Sequence, residues 1–393
     1  MLDTLSAQAP DALLALIKMH ADDSREDKID LGVGVYRTNE GATPVFRAIK
    51  QAERKLLEVQ DSKSYLGPEG DGGFVKALMP YIFGDKSPLA SRIEGMQTPG
   101  GTGAVRLAVA LAVKAGVKRI FLGVPSWPNH AQILEDVGVE IVTFNHASDD
   151  GTADLDAVLG AIRDAKGDGA VLLHGCCHNP TGIDYTDAQW AAIADAFAQD
   201  GVLPILDIAY QGLGQGMEED VAGVRTVLAK VPEALIAYSC DKNFGLYRDR
   251  VGAFYMMARE EGQLAAIASN ANALARANWS MPPDHGGAAV RLLLEDEGMT
   301  AIWLEELDEM RARMRRVRDR LGAADNEVPG LGLAALAEQN GLFAMLPLTK
   351  DQIATLREDH AIYMAGSGRI NVAGLHADNI DKFIAALGNV TKG

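Results

Sequence analysis

The stretch Ser239-Cys240-Asp241-Lys242-Asn243-Phe244-Gly245-Leu246-Tyr247-Arg248-Asp249-Arg250 decides the fold. Immediately before it, Ala234-Leu235-Ile236-Ala237-Tyr238 is a short apolar run behind Pro232, the pattern of a buried strand. Such a strand delivers Ser239 and Lys242 at its carboxyl end, the edge at which open α/β sheets collect ligands. A lysine there, with Arg250 eight residues on, sets an amine nucleophile beside an anion clamp. Serine hydroxyl, arginine fork and turn amides together suit a phosphate. Burial beside a second cation lowers a lysine pKa, as an amine that attacks a carbonyl requires. Solvated surface lysines are the commoner case, and Ser-x-x-Lys also occurs in serine acyl-transfer enzymes. Those enzymes carry Ser-Asp-Asn and Lys-Thr-Gly elements, and this chain has neither. It has no G-x-x-x-x-G-K-[ST] phosphate loop either.

Outward from this stretch, strand and helix patterns alternate. Residues 118–124 read as a strand that leads into Pro125-Ser126-Trp127-Pro128-Asn129-His130, and 139–144 as another. Residues 170–173 run into His174-Gly175-Cys176-Cys177-His178-Asn179-Pro180-Thr181-Gly182, and 202–206 into Asp207-Ile208-Ala209-Tyr210-Gln211-Gly212. A last strand covers 251–257. The alternation predicts an α/β fold with a doubly wound, mostly parallel sheet.

Four of these strands finish in chemistry-bearing side chains: Trp127 with His130, His178 with Asn179, Asp207 with Tyr210, and Ser239 with Lys242. Each alone has a structural explanation, but a parallel sheet gathers all four at one edge. The set calls for a ligand with a phosphate, an electrophilic carbonyl, a flat ring, a basic ring nitrogen and a phenolic oxygen. Pyridoxal 5'-phosphate has all five. Upstream, Thr98-Pro99-Gly100-Gly101-Thr102-Gly103 opens a helical pattern at 104–115. Its amides form either an anion seat at the positive end of the helix or a plain N-cap on Thr102.

The remaining segments are simpler. Residues 1–14 read as an extended arm entering a helix at 11–20, and 29–36 as a strand-like run with Gly32 and Gly34. A glycine there serves a turn or a close approach of backbone or ligand. Residues 44–60 form an amphipathic helix, and the loop 63–70 exposes Tyr65. A helix is expected at 301–321, with strands near 342–346 and 362–372.

The chain of 393 residues is long enough for two domains. A net charge of −17 argues against nucleic acid or an anionic membrane as partner. The three cysteines, with Cys176 and Cys177 adjacent, make a disulfide framework implausible and fit a reducing cytoplasm. The N-terminus carries an acid and no basic region, so no secretory signal is expected. No apolar run reaches the roughly 18 residues of a membrane span.

The residues quoted above resemble the class I pyridoxal-phosphate aminotransferases of fold type I, in the aspartate and aromatic branch. The resemblance runs from Gly32 to Gly374 and closes on Ser-Gly-Arg-Ile-Asn-Val-Ala-Gly at 367–374. It implies an α/β fold with a large domain at 46–310 that binds the cofactor. A smaller α+β domain is expected from 15–45 and 311–393, after an arm at 1–14. It implies Lys242 as the covalent anchor and proton shuttle. Asp207 would pair with the ring nitrogen, backed by His130, with His178 in the same outer layer. Asn179 and Tyr210 would hold the phenolic oxygen, and Trp127 would stack on the ring. Gly101, Thr102, Ser239 and Arg250 would bind the phosphate. The resemblance further implies a homodimer with shared active sites. Tyr65 would reach the neighbouring subunit's phosphate, and Arg276 would meet a side-chain carboxylate from across the interface. Arg369 would take the substrate α-carboxylate, and Gly34 would close over it. No metal is expected.

The implied activity moves amino groups between L-aspartate or aromatic L-amino acids and 2-oxoglutarate, in a ping-pong sequence. A β-lyase or decarboxylase on the same scaffold is the alternative. Asp241, Trp279 and Met281 depart from the usual serine, tyrosine and asparagine or serine of the family. Methionine at 281 favours a pocket that also accepts aromatic side chains, whereas Val35 and Thr43 match the aspartate branch.

Overall fold

The computed structural model describes residues 2–7, 12–148 and 150–392. Of the expected arm, Met1 and residues 8–11 lie outside the described residues, including Asp11 at the expected start of the first helix. Eleven strands run through the described residues. They are β1 (Ile29–Asp30), β2 (Ile93–Pro99), β3 (Arg119–Val124), β4 (Glu140–Asn145), β5 (Gly169–His174), β6 (Leu203–Ile208), β7 (Ala234–Ser239), β8 (Val251–Met257), β9 (Phe343–Met345), β10 (Ile362–Tyr363) and β11 (Arg369–Asn371). The chain divides into two compact units, Met1–Thr43 with Arg313–Gly393, and Pro44–Ala312.

The larger unit is built on a seven-stranded sheet of order β2-β8-β7-β6-β5-β3-β4. Strands β4, β3, β5, β6 and β7 are parallel, and β8 alone runs against its neighbours. Every residue of β7 and β8 is buried, as expected of strands covered on both faces. The helix Gly100–Lys114 lays Val105, Leu107, Ala108 and Leu111 into one apolar cluster with Ile120, Leu172, Ile205, Leu235 and Phe254 of the strands. From β3 the chain steps outward to β4, then returns across β3 to β5. The strand order therefore reverses between β3 and β5, the kind of point at which doubly wound sheets open a crevice. The carboxyl ends of β3, β5, β6 and β7 surround it.

Strand β2 carries no signal that sequence reading caught, because Glu94, Gln97 and Thr98 interrupt its apolar pattern. Seven residue pairs with β8 hold it, from Ile93↔Met257 to Pro99↔Val251. Gly95 is needed there, since a Cβ would lie 2.4 Å from the Tyr255 ring.

In the smaller unit, β1 pairs with β10 in parallel and β9 with β11 antiparallel. The strand expected at 29–36 ends at Asp30. Beyond it, the Leu31 carbonyl accepts from the Asn371 main-chain amide, and side chains take three of the carbonyls that follow: Arg369 that of Gly32, and Asn371 those of Val33 and Val35. The strand expected at 362–372 is two strands parted by a turn at Gly368. There φ is +87°, and a Cβ would sit 2.2 Å from the Leu346 carbonyl oxygen. Only glycine meets both demands.

Candidate active site

A cavity of about 260 Å³ opens in the larger unit at the carboxyl edge of the sheet. Gly101, Thr102, Trp127, Asn129, His174, Asn179, Asp207, Ala209, Tyr210, Ser239, Asp241, Lys242 and Arg250 line it. Each group has a local reason to be there. Asp207 is the penultimate residue of β6 and stands in register with His174, the last residue of β5. Trp127 follows β3 and sits at the N-cap of the helix Pro128–Val137. Lys242 falls in the turn just past β7.

One wall is cationic and rich in donors. The helix Gly100–Lys114 starts at Gly100 with Pro99 at its N-cap, and no side chain caps it. Thr102 is therefore not the capping residue that one reading of the sequence allowed. The first-turn amides point to the positive end of the helix instead. A Cβ on Gly101 would come within 2.8 Å of Ser239 Cβ, so glycine keeps the loop close to the serine. Gly100 has φ +67°, and a Cβ there would lie 2.5 Å from an Arg250 guanidinium nitrogen.

Asp241, which stands where the family usually has serine, has its carboxylate engaged. Arg250 Nη1 donates to Oδ2 and the Val251 amide donates to Oδ1 at 3.2 Å. Burial pushes its pKa up, against the pull of Lys242 and Arg250. Lys242 is held below the usual lysine range, chiefly by burial and also by Arg250, with Asp241 and Asp207 opposing. Its ammonium lies 5.9 Å from the Tyr210 ring centroid and 5.6 Å from that of Tyr247. The amine is thus more readily deprotonated than a surface lysine.

The opposite wall is an ordered set of rings and a carboxylate. His130 Nε2 lies 2.8 Å from Asp207 Oδ2, and His130 Nδ1 lies 2.9 Å from Ser126 Oγ. Asn179 Nδ2 donates to the Tyr210 hydroxyl at 3.4 Å. Trp127 meets His130 edge-on, ring centroids 5.1 Å apart. His178 stands behind the wall, bonded to Thr181 Oγ1 at 2.8 Å and stacked on His146 at 3.5 Å. Burial keeps the pKa values of His174 and His178 well below the usual value and brings that of His146 down to about 4.

Sequence reasoning passed over His174, Asn129 and Ala209. His174 carries a buried Nε2 without a hydrogen-bond partner. Its signal was its place as the last residue of a strand, opposite the strand that ends near Asp207. Tyr65 and Arg276 do not line this cavity. Tyr65 is 94% exposed, and Arg276 is exposed with its Nη1 donating to Ser280 Oγ at 2.7 Å. Arg369 and Gly34 belong to the smaller unit, where Arg369 Nη2 donates to the Gly32 carbonyl at 2.9 Å.

The lining fits pyridoxal phosphate group by group. A glycine cradle with Ser239 and Arg250 suits the phosphate, and an amine of lowered pKa suits the carbonyl. A buried carboxylate suits the ring nitrogen, and the Asn179–Tyr210 pair suits the phenolic oxygen.

Comparison with known proteins agrees. The family described as Aminotransferase class I and II matches residues 26–387. A tyrosine aminotransferase of Rhizobium meliloti (strain 1021) is 48% identical over 376 residues, covering 95% of this chain and 96% of that protein. An aspartate aminotransferase of Escherichia coli (strain K12) is 39% identical over 392 residues, covering 98% and 99%. Among solved structures, an aromatic-amino-acid aminotransferase of Burkholderia pseudomallei covalently bound to pyridoxal phosphate superposes with a TM-score of 0.95. It is 33% identical and covers 100% of this chain and 99% of that one.

Proposed function

The chain belongs to the class I and II aminotransferases, and from that premise we propose that it transfers amino groups between L-aspartate or aromatic L-amino acids and 2-oxoglutarate. It is a pyridoxal-phosphate-dependent enzyme of the aspartate and aromatic type. The observation that carries the proposal is the meeting of Lys242, Asp207 and the Asn179–Tyr210 pair around one cavity.

When bound, the cofactor supplies an electrophilic carbon for the amine and a ring that takes up electrons as Cα loses its proton. Asp207, held by His130, keeps a negative charge at the ring nitrogen and so favours its protonated form. Tyr210 and Asn179 bind the phenolic oxygen, and Trp127 orients the ring. Ser239, Arg250, Gly101 and Thr102 hold the phosphate. Lys242 would hold the cofactor through Nζ, and with substrate bound its free amine would act as the base that takes the Cα proton at Nζ and gives it back as an acid. Arg369 binds the substrate α-carboxylate. Arg276 binds a second carboxylate when the substrate has one.

We further propose a cytoplasmic homodimer with shared active sites. The exposure of Tyr65 and Arg276, away from their own chain's cavity, supports a role for both in a partner's site. Among the described residues, no helix is long and apolar enough to cross a membrane.

The test is a product assay on the cofactor-loaded protein with aspartate or phenylalanine plus 2-oxoglutarate. Oxaloacetate or phenylpyruvate, formed in step with glutamate, is expected. Ammonia or carbon dioxide without glutamate would overturn the assignment in favour of a lyase or decarboxylase.

A further inference from the structure

We propose that Asn371 is a positioning residue for substrate-carboxylate recognition, holding the Gly34 segment against the strand that carries Arg369. The inference rests on the reading of Arg369 as the α-carboxylate ligand. Arg369 and Asn371 are alternate residues of β11, so both side chains leave the same face of the strand. They grip three carbonyls of one segment, those of Gly32, Val33 and Val35. Arg369 Nη2 donates to Gly32 O at 2.9 Å, and Asn371 Nδ2 donates to Val33 O at 2.6 Å and to Val35 O at 2.7 Å. The Asn371 main-chain amide adds a bond to Leu31 O at 2.7 Å. The side-chain oxygen of Asn371 is also engaged, accepting from the Ala373 amide at 3.0 Å. Asn371 is fully buried, so no water replaces these partners.

Phe343 ties the two halves together. It pairs with Asn371 across β9 and β11, and the Arg369 guanidinium lies 4.5 Å from its ring centroid. Gly34 approaches the same ring so closely that a Cβ would fall 2.7 Å from Phe343 Cζ. The carbonyls on either side of Gly34 are thus held by one amide, and Gly34 and Arg369 share one aromatic support. Loss of that amide takes the side-chain donor from the Val35 carbonyl and leaves the Val33 carbonyl only the Val35 amide at 3.0 Å, which loosens the segment that seats the guanidinium. A carboxylate would then bind a clamp that must first be ordered.

The experiment compares cofactor-loaded wild type with Asn371→Leu, which keeps the branched shape and heavy-atom count and removes the donor. The readouts are calorimetric binding of 3-phenylpropionate (a carboxylate without an amine) and steady-state kinetics. The leucine variant is expected to bind the probe about tenfold more weakly, a loss the size of one hydrogen bond. KM should rise equally for aspartate and phenylalanine, with kcat within about threefold and the cofactor absorbance unchanged. Asn371→Ser, smaller and polar, decides the matter if the leucine variant does not fold, with a loss of at least about threefold expected. Probe affinity within twofold of wild type in a folded variant would overturn the inference, as would loss of cofactor absorbance in both. Arg369→Ala separates the premise. If it binds the probe normally, the Arg369 reading falls and takes this one with it. If it alone weakens binding, only the role of Asn371 falls.

Discussion

His130 Nε2 stands 2.8 Å from Asp207 Oδ2 with both side chains buried, joining residues 77 positions apart. A carboxylate can only accept, so Nε2 carries the proton and donates, while Nδ1 on the other side of the ring is held 2.9 Å from the Ser126 hydroxyl. The contact leaves the histidine to steady the carboxylate and the carboxylate to face the cavity. His130→Ala is expected to lower kcat by about 10- to 100-fold, the range of a hydrogen bond to a charged group. Asp207→Ala should cost more, because it removes the charge itself. Stopped-flow half-reactions on both variants check the order, and equal losses would make His130 more than a support.

Lys242 is the only group here assigned both to anchor the cofactor and to move a proton. Lys242→Ala should therefore lower kcat by more than about 10³-fold. Borohydride should fix the cofactor on wild type and not on this variant, as mass spectrometry of the reduced chain would reveal.

Arg276 lies exposed at the last turn of the helix Leu264–Asn278, bonded to Ser280. Arg276→Ala should reduce kcat/KM for aspartate by at least about 30-fold, the lower end for a broken charge pair. Phenylalanine, with no side-chain carboxylate, should change less than about threefold. Equal losses would remove Arg276 from the specificity pocket.

Asp220 stabilises the loop after Tyr210. Its Oδ2 accepts from the amides of Gly212 and Gly214 at 2.8 and 2.9 Å, and its Oδ1 accepts from Gln215 at 2.7 Å. Burial raises its pKa to about 6 despite these donors. The folded protein then holds this proton more tightly than the unfolded chain. The resulting stability is full below the ordinary aspartate pKa and lost as pH rises through about 6. Asp220→Asn has no such proton to lose. In urea unfolding, the stability advantage of wild type over the variant should shrink by roughly 1 kcal/mol between pH 5 and pH 7.5. An advantage that grows with pH would contradict the raised pKa.

Some elements were hidden from the sequence for definable reasons. Strand β2 is half polar although Gln97 and Thr98 are buried, because Gln97 bonds the Asp71 amide and the Pro283 carbonyl and Thr98 bonds the Gly100 carbonyl, and its pairing with β8 makes it a strand. The run 29–36 has strand composition, yet Arg369 and Asn371 take its carbonyls and stop the ladder at Asp30. His174 went unassigned because its partner set depends on register with β6, which no local pattern encodes.

By itself the sequence determined which residues end the parallel strands, and so which groups can face a ligand at the sheet edge. Strand patterns are local, and the connections of a doubly wound sheet place those ends on one side. The family resemblance already implied that His130 backs Asp207 and that Tyr65 and Arg276 serve a neighbouring subunit; only the tertiary structure decided that Asp241 turns to Arg250 and that Asn179 donates to the Tyr210 hydroxyl. Those outcomes depend on side-chain direction and on packing between segments far apart in the chain, where distances of a few ångströms decide whether a charge is paired or left exposed.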